Sequence, residues 1–295
     1  MIKRMILGVL ALGFLATSCS NDDDAIQIPT NSSLTVDFSG LEALGSDYVY
    51  EGWIIVNGAP VSTGTFSSVT FPQTFQVSTT QLAAATKFVL SIEPAVDPDP
   101  LPADTKILEG DFAGDMATLD SNEIVGDFST STGEYILATP TDNDMTNESS
   151  GVWFLNNSGT APVAGLSLPT LQPGWKYEGW AVIDGTPLST GTFTNVAATD
   201  DLAPYSGPVA LPMPNGTDGF FPGEDFLLNA PTGMTFPVDL KGKTIVISVE
   251  PSPDNSPAPF TLKPLAHVVP ATAMDHTPIG MGVGPVQSLS GSVTR

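Results

Sequence analysis

The feature that most constrains the fold of this chain is a 17-residue stretch that occurs twice. Residues 50–66 read YEGWIIVNGAPVSTGTF, and residues 177–193 read YEGWAVIDGTPLSTGTF. Every matching position is displaced by the same 127 residues (177 − 50 and 193 − 66). A constant displacement over so many positions indicates an internal repeat rather than chance.

Each copy has the pattern of a β-hairpin. Aromatic and β-branched residues precede the dipeptides Asn57-Gly58 and Asp184-Gly185, which accept positive φ at both central positions of a tight turn. The predicted strands are 48–56 with 61–66, and 177–183 with 187–193. Large apolar groups fall on both faces of the first strand, so we expect it to lie inside a sandwich rather than at its rim.

Further strands are predicted at 34–41, 87–93, 105–112, 134–140, 151–155, 164–171 and 245–250, with a short helical turn at 81–85. The segment FVLSIEP at 88–94 matches IVISVEP at 245–251 with a displacement of 157 residues (245 − 88). No long amphipathic helix is predicted. The fold class is therefore all-β, with two tandem antiparallel β-sandwich-like domains.

These landmarks divide the chain into a signal peptide at 1–18, a disordered acidic tether at 19–33, a first β domain at 34–130 and a second at 131–295. The larger displacement of the second landmark means that about 30 extra residues (157 − 127) lie near 196–240 in the second copy. This insertion is rich in Pro, Gly and Phe. Its aromatic pair, Phe220 and Phe221, either meets a partner or folds back against the sandwich.

The N-terminus predicts export. A basic start, a short apolar run and small residues precede Cys19, the only cysteine of the chain. Cys19 is interpreted as the lipidated first residue of a lipoprotein, although Ala16 stands where Leu is usual. The alternative is an ordinary secreted protein with a chance cysteine. Because Asp22, Asp23 and Asp24 resemble a surface-export tag, we expect an outer membrane lipoprotein exposed at the cell surface, with the periplasmic face as the alternative.

The net charge of −23 makes nucleic-acid binding unfavourable, because a polyanion would be repelled. The chain is nevertheless 41% hydrophobic, so the acidity does not indicate a disordered protein.

On the hairpin stretch 50–66 and the segment 88–94, the first half resembles the extracytoplasmic C-terminal domain of anti-sigma-K factors, the RskA family. The likeness covers roughly 34–113, and a second time 164–266. It implies a β domain that binds or senses something outside the membrane, and it implies no catalytic residue. Such factors also carry a sigma-binding segment and a transmembrane helix, neither of which is expected here, so we do not expect this chain to sequester a sigma factor.

Candidate reactive groups are few. Glu51 with Glu178, or Glu93 with Glu250, would be acid–base pairs, but each is one repeated position, and the latter two are expected to cap strand ends. Oxygen ligands at 142–144 do not match a calcium loop, and Met274, His276 and Met281 do not make a convincing copper site. We therefore expect no catalytic set, no metal centre and no cofactor.

The sequence thus predicts a non-enzymatic envelope lipoprotein that acts as an interaction or sensing module, anchored through Cys19, with an unknown protein or glycan partner. The alternatives are a glycan-binding accessory lipoprotein of an uptake system and a structural or adhesive surface protein. Candidate ligand contacts are Trp53, Trp180, Phe220 and Phe221. For the two tryptophans we favour the alternative interpretation as core residues, which is usual on a central strand of a sandwich.

Overall fold

The computed structural model describes residues 30–208, 221–254 and 256–295, and within these ranges the regular secondary structure is almost entirely β-strand. The predicted signal peptide, Cys19, most of the tether and Phe220 lie outside the described residues. Within the described ranges, no helix is both long and apolar enough to cross a membrane.

The first part of the chain forms seven strands and one short helix. They are β1 (Asn31–Ser39), β2 (Tyr48–Val56), β3 (Ala59–Phe66), β4 (Gln73–Ser78), α1 (Thr79–Ala84), β5 (Ala85–Pro94), β6 (Lys106–Ala113) and β7 (Met116–Asp120). The next part begins with β8 (Thr132–Leu137), a 3₁₀ helix (Glu148–Ser150), β9 (Gly151–Trp153), β10 (Leu155–Asn156), β11 (Val163–Ala164) and β12 (Leu166–Ser167). The remaining strands are β13 (Trp175–Ile183), β14 (Thr186–Phe193), β15 (Gly223–Asp225), β16 (Thr244–Pro251), β17 (Lys263–Val268), β18 (Ile279–Gly280), β19 (Gly282–Val286) and β20 (Ser290–Thr294).

The same order of five antiparallel strands occurs twice. One sheet contains β3-β2-β5-β6-β7, and another contains β14-β13-β16-β17-β19. The first continues through β20 and β1 to β4 and curves back on itself, since Phe66 of β3 and Phe75 of β4 pack with ring centroids 5.7 Å apart. We call β1–β7 with β20 the first unit, and β8–β19 the second unit.

In the second unit a separate sheet, β12-β8-β9-β15 with β18 paired to β8, packs against the sheet β14-β13-β16-β17-β19. Phe154 lies directly over Gly179 of β13, where any larger side chain would collide with its ring. Tyr135 of β8 bonds His267 of β17 at 2.9 Å, which links the two layers. The sandwich-like, all-β architecture expected from the sequence is therefore present.

Both hairpins have the predicted geometry. Asn57 and Gly58 have φ of 52° and 80°, and Asp184 and Gly185 have φ of 51° and 86°. Each hairpin also has a β-bulge at the same place, immediately before its tryptophan, where the pairing register shifts. As expected, β2 lies inside its sheet, between β3 and β5.

Three features differ from the sequence expectations. Residues 31–33, assigned to a disordered tether, form the start of β1 and pair with β4. The strand expected at 164–171 is reduced to β11 and β12, because at Gly165 the chain changes its pairing partner from β10 to β8. Residues 290–294, counted with the second domain, form β20 and pair with β1 and β7 of the first unit.

The two units share one apolar core rather than two separate ones. Across their junction, the Trp175 indole N–H donates to the Lys106 carbonyl at 3.1 Å, and the Thr261 hydroxyl donates to the Gly40 carbonyl at 2.8 Å. The chain therefore passes between the units twice, after β7 and before β20. The two hydrogen bonds join the units at their junction.

The last strand, β20, gives a testable prediction about stability. Val293 of β20 is completely buried, whereas its neighbour Thr294 is exposed. Val293→Ala should lower the free energy of unfolding by about 2 kcal/mol, because it leaves a cavity in the core. That is roughly 4–8 °C in the melting temperature, measured by circular dichroism. Thr294→Ala is the matched control and should melt close to the parent; equal melting of the two variants would contradict the pairing.

Candidate functional site

The repeated sequence builds the same chain of hydrogen bonds in each unit. In the first unit the Trp53 indole N–H donates to the Ser91 hydroxyl at 2.8 Å, and Ser91 donates in turn to the Glu93 carboxylate. In the second unit Trp180 donates to Ser248 at 2.7 Å, and Ser248 donates to Glu250. We call each set a Trp–Ser–Glu relay.

Strand pairing explains why these side chains meet. Trp53 lies opposite Val89 in the ladder between β2 and β5, and Glu51 lies opposite Ser91. Side chains directly opposite each other share a face of the sheet, and residues two apart along a strand share it as well. The tryptophan, serine and glutamate are therefore brought to one face by the register.

Each relay ends by holding a proline-rich loop. The Glu93 carboxylate accepts the N–H of Ala103 at 2.8 Å, across the connection between β5 and β6. Glu250 likewise accepts the N–H of Phe260 at 2.9 Å, across the connection between β16 and β17. The expectation that these two glutamates cap strand ends through backbone N–H groups agrees with this geometry.

The two held loops lie on opposite sides of a groove at the junction of the units. Its cavity measures about 720 Å³, which is within the range of ligand sites. The first unit contributes residues 42–48, 92, 94 and 103–105. The second unit contributes residues 251–254, 256, 257 and 260. The groove is thus formed only where both units are present.

The groove is apolar inside and acidic at its edges. Leu44, Ile92 and Phe260 are among its apolar residues, and prolines stand at 94, 251, 253 and 257. Its acidic residues are Glu42, Asp47, Asp104 and Asp254. Among the described residues that line it, none is Lys or Arg.

Glu42 is an acid of the groove whose pKa is influenced by a base, Lys263. Burial raises its pKa, and this is opposed by the charge of Lys263 and by a hydrogen bond from the backbone of Thr261. Burial correspondingly lowers the pKa of Lys263, opposed by Glu42 and Glu250. The half-buried acid is therefore balanced in part by a base that lies outside the lining of the groove.

Three of the four predicted ligand contacts, Trp53, Trp180 and Phe221, are buried. Trp53 is 3% exposed and Trp180 2%, so both are core residues whose ring faces no ligand can reach. Phe221 is 4% exposed and packs with Ile136 and Trp153 in a small separate cluster. Of the two interpretations given for the insertion's aromatics, Phe221 follows the second, in which it folds back.

The acid–base pairs considered from the sequence joined equivalent glutamates of the two copies, whereas the structure brings Glu178 and Glu250 of the second unit together. Ligand oxygens of Glu178, Glu250 and Asp254 lie within 4.8 Å of one another, a spacing that a divalent cation would accept. Glu178 and Glu250 are buried, bonded to Ser189 and Ser248, and neither lines the groove. A substrate in the groove would not contact this pair. Sequence reasoning missed the cluster because it compared equivalent positions of the two copies, whereas the register of β13 with β16 makes Glu178 a neighbour of Ser248 and Glu250.

Buried carboxylates also fasten the insertion to the second unit. Asp225 accepts the Trp153 indole N–H at 2.7 Å and the Thr141 N–H at 2.8 Å. Asp200 accepts the N–H of Gly223 at 2.8 Å. The described part of the insertion is therefore attached to the fold by hydrogen bonds to acids.

The acidic loop at 142–144, which was compared with a calcium loop, forms hydrogen bonds within itself. Asp142 accepts the N–H of Asp144, which in turn accepts the N–H of Thr146, at 3.0 and 2.9 Å. Asn147 donates to the second oxygen of Asp142. These contacts are those of Asx turns, which position a loop without an ion.

Comparison with known proteins adds one finding. A family model described as "Anti-sigma-K factor rskA, C-terminal" matches residues 24–105. The resemblance named from the sequence is thereby confirmed for the first unit, whose hairpin β2–β3 and strand β5 lie within the match. No curated protein and no solved structure matches the chain.

The buried acids predict an unusual pH dependence of stability. Burial raises the pKa of Glu178 and Glu224 to about 7, of Asp200 to about 7, and of Glu250 to about 8. A carboxyl group whose pKa is raised by folding stabilises the native state fully at a pH below its pKa in the unfolded chain, here 4.5 or 3.8. This stabilisation is lost as the pH rises from that value through the folded-state pKa of about 7 to 8. The melting temperature should therefore fall between about pH 5 and pH 8 and level off at higher pH.

The Glu250→Gln variant tests the cause of that fall. Glutamine keeps an oxygen for the N–H of Phe260 and does not ionise, so the decline above pH 7 should become shallower. Each unit of pKa shift corresponds to about 1.4 kcal/mol. Asp37→Asn, at an exposed site, is the control and should leave the slope unchanged. A parent protein that is more stable at pH 9 than at pH 6 would refute the argument.

The burial of the tryptophans can be checked directly. All four tryptophans of the chain are 4% exposed or less, so iodide should quench their fluorescence weakly in the native protein and strongly after unfolding. Strong quenching of the native protein would show that at least one ring is available to a ligand such as a sugar.

Proposed function

We propose that this chain is a non-enzymatic cell-envelope lipoprotein that acts as an extracytoplasmic interaction or sensing module. The observation that carries the proposal is the groove between the two units, which both Trp–Ser–Glu relays hold open from opposite sides. Binding sites commonly form at such junctions, with an apolar interior and few polar groups at the edge. The family match of residues 24–105 supports a relationship to an anti-sigma factor domain.

The burial of the carboxylate pair is the reason for proposing binding rather than catalysis. Glu178 and Glu250 accept hydrogen bonds from serines and from the loop backbone, and these bonds serve the fold. A glycosidase needs both carboxyl groups beside the sugar. The glycan-binding alternative rested on Trp53 and Trp180, and their burial leaves it without an exposed aromatic platform at those positions.

The proposed location is part of the same hypothesis. Lipid attached to Cys19 would anchor the chain at the outer membrane, with the folded units exposed at the cell surface or facing the periplasm. Metabolic labelling with an alkyne fatty acid should mark the parent chain and not Cys19→Ala. Labelling of the variant would refute the anchor and leave the groove unaffected.

The groove itself is tested by cross-linking in cells. A photoreactive phenylalanine placed at Ala43, which lines the groove and is exposed, should give a discrete cross-linked product in the native envelope. The same group at Ala83, exposed on α1 and outside the groove, is the control. Equal products from both sites, or none from Ala43, would contradict the proposal.

A further inference from the structure

The rim of the groove carries negative charge on both walls. Asp47 and Asp104 belong to the first unit and Asp254 to the second, and all three are exposed. Glu42 adds a fourth carboxyl group deeper in the wall, where Lys263 lies close enough to influence it. The rim therefore offers several separated anionic positions to whatever enters.

The interior between these charges is apolar and stiff. Its prolines have a fixed φ, so the walls lose little conformational freedom when a ligand binds. Ile92 and Phe260 are buried beneath the opening, and Tyr48 is half-buried at its edge. Grooves lined by proline and aromatic residues commonly bind extended peptides, which lose little conformational entropy on binding.

We propose that the groove binds an extended peptide segment of another protein in which basic side chains alternate with apolar ones. The inference rests on the proposed function and adds the chemistry of the partner. Charge complementarity selects the occupant: the groove lining holds four acids and no base, and the chain has a net charge of −23. Lys or Arg side chains would reach Asp47, Asp104 and Asp254, while the apolar residues between them fill the interior.

The field of the chain favours the same partner. An acidic surface with apolar walls accelerates the approach of cations and repels acidic segments. A small cation alone would satisfy the rim and leave the apolar interior without a contact. An apolar ligand alone would fill the interior and leave the rim charges unused. A basic and apolar peptide satisfies both.

The test is selection from a displayed random nonapeptide library on the full chain in mild detergent. Enriched sequences should carry an excess of Lys or Arg interspersed with apolar residues. A fluorescein-labelled copy of the most enriched peptide then gives a dissociation constant by anisotropy. Raising the salt from 0.1 to 1 M shortens the screening length from about 10 to about 3 Å, so binding should weaken several-fold.

Two matched triple variants locate the site. Asp47→Asn with Asp104→Asn and Asp254→Asn removes the rim charges, and should weaken binding about tenfold. Asp37→Asn with Asp115→Asn and Asp275→Asn removes the same charge from exposed positions outside the groove, and should bind like the parent. All six aspartates are exposed, but Asp254 also lies beside Glu178 and Glu250. The melting temperature of each variant is therefore measured, and binding is compared well below both.

The outcomes separate the two proposals. Enrichment of acidic or neutral sequences, no enrichment at all, or equal affinity of the two triple variants would overturn the inference about the peptide. A discrete cross-link from Ala43 obtained alongside such a result would leave the proposed interaction module standing. Absence of that cross-link would remove the proposed function as well.

Discussion

The hydrogen bond from each tryptophan to its serine, continued through a glutamate to a loop N–H, is the interaction on which the rest of the structure depends. A buried indole N–H, hydroxyl and carboxylate would each be costly without partners, and the relay gives every one of them a partner. It also ties together residues that are ten positions apart in the chain, since Glu93 holds Ala103 and Glu250 holds Phe260. The groove walls are thereby a direct consequence of the repeated sequence.

The two copies of the relay share the tryptophan–serine and serine–glutamate hydrogen bonds, and they differ at the second oxygen of the glutamate and in their surroundings. In the second unit Glu178 lies beside Glu250 and both have raised pKa values, since burial disfavours their ionised form. In the first unit one oxygen of Glu93, a residue 1% exposed, has no hydrogen-bond partner. Burying carboxyl groups in this way lowers the stability of the protein at alkaline pH, where these groups ionise.

The structural features that were predictable from the sequence depend on local patterns of residues. The features that were not predicted depend on pairing between residues far apart in the chain. The hairpins follow from alternation and from turn dipeptides, and Glu93 and Glu250 were recognised as capping groups from the Glu-Pro that ends each strand. The relay as a whole was not predicted, because Trp53 meets Ser91 only through the register of β2 with β5. Likewise β20 is a short, polar segment whose partner β1 lies at the other end of the described chain. The groove arises from contact between units and has no local signature.

Hydrogen exchange of the Ser248→Ala variant, compared with the parent chain, tests the central claim that the relay holds the groove wall. The variant removes the link between Trp180 and Glu250 and leaves the backbone pairing of β13 with β16 in place. The account predicts faster exchange at the N–H of Phe260 and in the loop at 252–262, with the amides of β13 and β16 unchanged. Unchanged exchange in that loop, or faster exchange throughout the second unit, would contradict it.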